Sequence, residues 1–72
     1  MYFYKSPVGT FQIARRSDGF HLILNGEVLG VYRSAIAAAD DVFLHVTGAT
    51  QWDCLDSQVS DVPSSLQDWE TE

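Results

Sequence analysis

What the chain lacks narrows it first. Cys54 is the only cysteine in 72 residues, so no internal disulfide framework forms, and a reducing cytoplasm is the expected setting. No apolar run is long enough to span a membrane. Residues 1–9 show no charged-then-apolar signal pattern. There is no phosphate loop and no glycine-rich dinucleotide fingerprint. No lysine or arginine follows Arg33. At this length there is one domain at most, and such a chain buries only about 60% of the surface its unfolded form exposes. Its stability is therefore expected to be marginal, or helped by self-association.

The charge that is present lies unevenly. Residues 1–33 carry four basic side chains against two acidic ones, whereas residues 34–72 carry eight acids and no base, for a net charge of -6. Taken whole, the molecule repels polyanions, while its first half is mildly basic. At 46% hydrophobic residues the chain has enough apolar material for a core and too much for wholesale disorder.

The organising stretch runs over residues 26–48. Ser34 is placed to cap a helix, and Ala35 through Ala39 supply mostly strong helix formers. On a helical wheel Ala35, Ala38, Ala39, Val42 and Val46 share one face, with Ile36 and Phe43 on its flank. Asp40, Asp41 and His45 fall opposite, Leu44 projects from the middle of that polar side, and Gly48 stands where a left-handed C-cap is wanted. Before the helix, residues 10–15 alternate, with Phe11 and Ile13 on one face and Thr10, Gln12 and Ala14 on the other. Residues 20–24 are apolar on nearly both faces and read as a central strand. Asn25 and Gly26 suit a type I′ hairpin turn. Residues 27–32 make the third strand, and Gly30 within it points to a bulge or close backbone contact. Tyr2, Phe3 and Tyr4 form a short extended piece before the bend at residues 6–9, suited to an edge or to pairing with another chain.

The expected fold is α+β: a three-stranded antiparallel sheet packed against one amphipathic helix, in βββα order, with a partly ordered acidic C-terminal tail. Residues 1–56 form the domain and residues 57–72 the acidic linker and tail. Within the tail, Ser65 is placed to cap a single helical turn containing Asp68.

Residues 9–48, from GTFQIARRSDGF through the alanine-rich helix to its glycine, resemble the three-strand-plus-helix layout of AP2-type DNA-binding domains. That resemblance implies a sheet face that reads DNA with arginines and tryptophans. A second likeness spans most of the chain. A Lys-Ser-Pro-x-Gly opening (residues 5–9), a Leu-Gly-x-Tyr corner (29–32), Ala-Ala-Ala-Asp-Asp-Val (37–42) and Trp-Asp-x-Leu (52–55) resemble a group of short, uncharacterised bacterial proteins. It implies no particular activity.

No constellation supports catalysis. His21, His45 and Cys54 match no zinc spacing, and adjacent Asp40 and Asp41 diverge by about 100° on a helix, so they cannot share a proton. No catalytic residue, cofactor or metal ligand is assigned. What needs explaining is apolar surplus: Ile23, Leu44, Trp52 and Trp69 exceed what one helix can cover, which points to a non-enzymatic module that docks a protein partner or a second copy. The alternative is weak nucleic-acid binding through Lys5, Arg15, Arg16 and Arg33, a set too small for the several phosphate contacts that duplex binding uses.

Overall fold

The computed structural model describes residues 1–55, 58–59 and 62–71. Three of the acids beyond the helix, Asp56, Asp61 and Glu72, lie outside the described residues, as do other parts of the linker and tail expected over residues 57–72.

The chain is α+β. Its elements are β1 (Tyr2–Ser6), β2 (Gly9–Arg16), β3 (Gly19–Leu24), β4 (Glu27–Tyr32), α1 (Ala35–Leu44), α2 (Thr50–Asp53), a 3-10 turn (Leu66–Asp68) and β5 (Glu70–Thr71). The sheet is antiparallel with order β4-β3-β2-β1-β5. It thus has five strands where three were expected, and both additions have local causes. Ser6 pairs with Gly9 around a two-residue loop, so the Pro7 segment folds the chain into a hairpin instead of breaking it. Tyr2 and Tyr4 then lie opposite Ile13 and Phe11 on the core side. The fifth strand comes from the tail, where Glu70 and Thr71 pair with Phe3 and Tyr2. The aromatic piece is therefore an inner strand over its first half, and the sheet is edged by β4 on one side and by β5 with the second half of β1 on the other.

Two turn predictions hold. Asn25 (φ 52) and Gly26 (φ 85) both take the left-handed conformation that a type I′ hairpin needs. The register slips between Leu22 and Ile23 where they face β4, which is the bulge that Gly30 announced.

The helix forms as its sequence requires. The Ser34 hydroxyl accepts from the Ala37 amide at 3.1 Å. Ala35, Ala38, Ala39 and Val42 are buried against Phe11, Ile13, Leu22 and Leu24. Small side chains let the backbone approach the sheet closely. The C-terminus differs from expectation. His45, not Gly48, is the left-handed residue that closes the helix (φ 57), and the Val46 amide reaches back to the Asp41 carbonyl at 3.0 Å. Histidine tolerates this conformation better than most residues. Because the helix stops at Leu44, Val46 leaves the inner stripe and stands exposed, while His45 turns inward and is buried.

Past the helix the chain supplies a lid. The Asp53 carboxylate accepts from the Thr47 amide and hydroxyl and from the Gly48 amide, which fixes the corner leading into α2. Trp52 and Trp69 close the open end of the core.

Candidate interaction surface

The four side chains expected to need cover divide sharply. Trp52 is fully buried; its indole N–H donates to the Val42 carbonyl at 3.0 Å, and its ring meets Phe11 edge-on with centroids 5.1 Å apart. Trp69 is buried against Tyr4, with centroids 5.7 Å apart. Both tryptophans thus serve this chain's own core. Ile23 is partly buried on the sheet face turned away from the helix. Leu44 is 58% exposed.

Leu44 has exposed neighbours that the helical wheel assigns elsewhere, Ile36 and Phe43 to the flank of the core and Val46 to its inner face. Ile36 is 61% exposed, Phe43 44% and Val46 57%. Positions 36, 40, 43 and 44 fall on one side of a helix, so Ile36, Phe43 and Leu44 form an outer apolar stripe interrupted by Asp40. The spacing i, i+7, i+8 is a signal present in the sequence. The alanine stripe masks it by suggesting that its flanks are buried as well. A helix seated closely on four small residues buries a narrow face and leaves the flanks in water.

Beside the first turn of α1 lies a groove of about 340 Å³, lined by Tyr2, Ile36, Asp40, Leu66, Thr71 and residues 64, 65 and 67. It shares Ile36 and Asp40 with the stripe, so groove and stripe form one surface with a single formal charge, Asp40, at their junction.

The four basic residues do not gather in one place. Lys5 pairs with Thr10 at one end of the sheet. Arg16 pairs with Gly19, Arg15 with Phe20, and Phe20 with Tyr32, the residue before Arg33, which brings the three arginines to the other end. On the face turned from the helix, Lys5 and Arg16 stand at opposite ends with Gln12, Ala14, His21 and Ile23 between them. At the arginine end, His21 Nε2 lies 2.7 Å from Asp18 Oδ1, and this hydrogen bond holds the Asp18 carboxyl below its ordinary range.

The groups considered for chemistry are engaged structurally. His45 stacks on Trp52 with centroids 4.3 Å apart and donates from Nδ1 to the Trp52 carbonyl at 2.9 Å. Cys54 is exposed, with its thiol directed at the Gln51 carbonyl. Among the described residues, no three His, Cys, Asp or Glu side chains are grouped to hold a metal ion. No helix among them is long and apolar enough to cross a membrane.

Tyr32 is a second perturbed group. Its hydroxyl donates to Asp41 Oδ2 at 2.8 Å. Burial first, and then the Asp41 carboxylate, push its ionisation well above the ordinary tyrosine value of 10.0. Its folded pKa exceeds its unfolded one, so the stability contributed by the neutral phenol is complete below about pH 10 and is lost as the pH rises beyond it. In an alkaline absorbance titration, Tyr32 is expected to stay protonated until the chain unfolds. Asp41→Asn should bring that titration back toward normal. A Tyr32 phenolate appearing at the ordinary pH in a folded chain would contradict this account.

Fold and surface together define a small α+β domain: one principal helix on a five-stranded antiparallel sheet, with exposed apolar side chains on the outer side of that helix and on β4. No family model, curated protein or solved structure matches the chain.

Proposed function

We propose that this is a non-enzymatic protein-interaction module whose docking surface is the outer face of α1. The observation that carries the reading is the stripe of Ile36, Phe43 and Leu44 on one short helix, with Val46 just past its end, all exposed. Clustered exposed apolar side chains are where aromatic and aliphatic anchors of an interface sit, and the groove beside Ile36 offers a recess for a partner side chain. The partner is another protein or a second copy. The exposed, unpaired Cys54 fits a reducing cytoplasm as the setting.

The test is site-specific photo-crosslinking in the chain's own cells. A photoreactive side chain at position 44 is expected to give a discrete adduct, whose mass tells self-association from a foreign partner. The same group at Thr50, exposed but off the stripe, should give none. Position 44 without an adduct, or with the same smear as position 50, would remove the reading.

A further inference from the structure

The β4 edge of the sheet carries a pattern that the helix stripe does not explain. β4 has one charged residue, Glu27, and neither lysine nor proline, the residues that commonly blunt an exposed edge. Val28 and Val31 are each 49% exposed. Side chains three residues apart on a regular strand point to opposite faces. The bulge changes that. Val28 lies opposite Ile23, and Val31 opposite His21, so both valines project from the face turned away from the helix. Glu27 and Tyr32 lie opposite Leu24 and Phe20 on the helix side, Gly30 opposite Leu22, and Leu29 packs on the core. From Glu27 to Tyr32 the order is therefore helix side, outer, helix side, helix side, outer, helix side. That order reads the same in both directions.

We infer that β4 pairs antiparallel with β4 of a second copy about a two-fold axis. Such pairing is isologous, and residues directly opposite must project from the same face. The palindrome satisfies this along all six residues in one register: Val28 faces Val31 of the second copy, twice over, and Glu27 faces Tyr32. A slip of one residue sets Val28 against Tyr32, from opposite faces. No other register keeps faces matched over more than three residues. The two valine pairs join the outer faces of the two sheets, with Ile23 behind each pair, and every outward amide and carbonyl of β4 gains the partner an edge lacks.

The surface is separate from the α1 stripe, and so is its test. Sedimentation equilibrium of the full chain is expected to show a reversible dimer. Val31→Lys and Val28→Glu should each raise its dissociation constant about ten-fold, since each puts two unmatched charges against valine. Far-UV dichroism should be unchanged, because both valines are half-exposed. The register-specific result comes from mixing the two variants in equal amounts. The introduced carboxylate at position 28 then faces the introduced ammonium at position 31, and association should return to the original strength. A chain that stays monomeric would overturn the inference and show that the bulge turns this edge away from pairing. So would a mixture no tighter than its components, or a dimer that Leu44→Asp abolishes and Val31→Lys leaves intact; that last pattern would still support docking through α1.

Discussion

Replacing Trp52 with alanine is expected to remove most of the stability of the fold. A buried tryptophan truncated to alanine costs about 3–5 kcal/mol, and a chain of 72 residues has roughly 4–11 kcal/mol in all. Several features place Trp52 at the upper end. It has no exposed surface, and its ring contacts Phe11 and Tyr4 edge-on, with centroids 5.1 and 6.0 Å away. Its indole N–H is a second donor to the Val42 carbonyl near the end of α1, which also accepts from the His45 amide at 3.2 Å. Its own carbonyl and ring hold His45, whose left-handed backbone closes the helix. Truncation therefore opens a cavity and removes one of two hydrogen bonds to the Val42 carbonyl. It also removes the stack that offsets an unfavourable backbone. Trp52→Phe should keep much of the packing and lose the Val42 hydrogen bond, at a cost of about 1–3 kcal/mol. Urea unfolding followed by far-UV dichroism measures both. A loss under about 1 kcal/mol for Trp52→Ala would show that the lid is not central to the fold.

Much of this architecture is written locally enough to read. Asn25 and Gly26 specify a turn by backbone preference alone, Ser34 specifies a helix start through one side-chain acceptor, and the alanine stripe specifies a face by period. The missing pieces are those for which sequence offers no period. β5 has two residues, too few to alternate, and it exists because Trp69 beside it has a core to enter. β1 hinges on whether Pro7 ends or turns an extended segment, and its pairing with β2 decides that. Ala14 alternates onto the outer face, as expected, yet it is fully buried: a methyl in a strand lies below the level of its larger neighbours across the sheet, such as His21. At the surface, Leu44 is legible because it breaks a pattern. Ile36 and Phe43 are not, because they flank the stripe that the pattern favours. Val46 is lost through the helix end, where histidine takes a role that a glycine three residues later also suits. The palindrome of β4 requires the bulge to be located, and the sequence supplies only Gly30 as a hint of it.

The tail provides the second large effect and a contrast with the first. Trp69→Ala is expected to cost about 3–5 kcal/mol, comparable to Trp52→Ala, even though only three residues follow it. It is buried against Tyr4, and the strand that follows it closes part of β1, so truncation unseats Glu70 and Thr71 as well. The phenylalanine variants should diverge. The Trp69 indole N–H is buried with no hydrogen-bond partner among the described residues, and an orphaned buried donor costs about 1–3 kcal/mol. Trp69→Phe removes that donor while keeping an aromatic ring, so the relief offsets the lost volume, and its net effect should lie near zero where Trp52→Phe is plainly destabilising. Removing residues 66–72 should be at least as damaging as Trp69→Ala, because Leu66 and β5 leave with the indole. Urea midpoints for these variants separate two descriptions of the acidic segment. If the shortened chain unfolds at the same midpoint as the full one, residues 66–72 are an appendage. If its midpoint falls at least as far as that of Trp69→Ala, they are a wall of the core that happens to be written in acidic, aperiodic sequence.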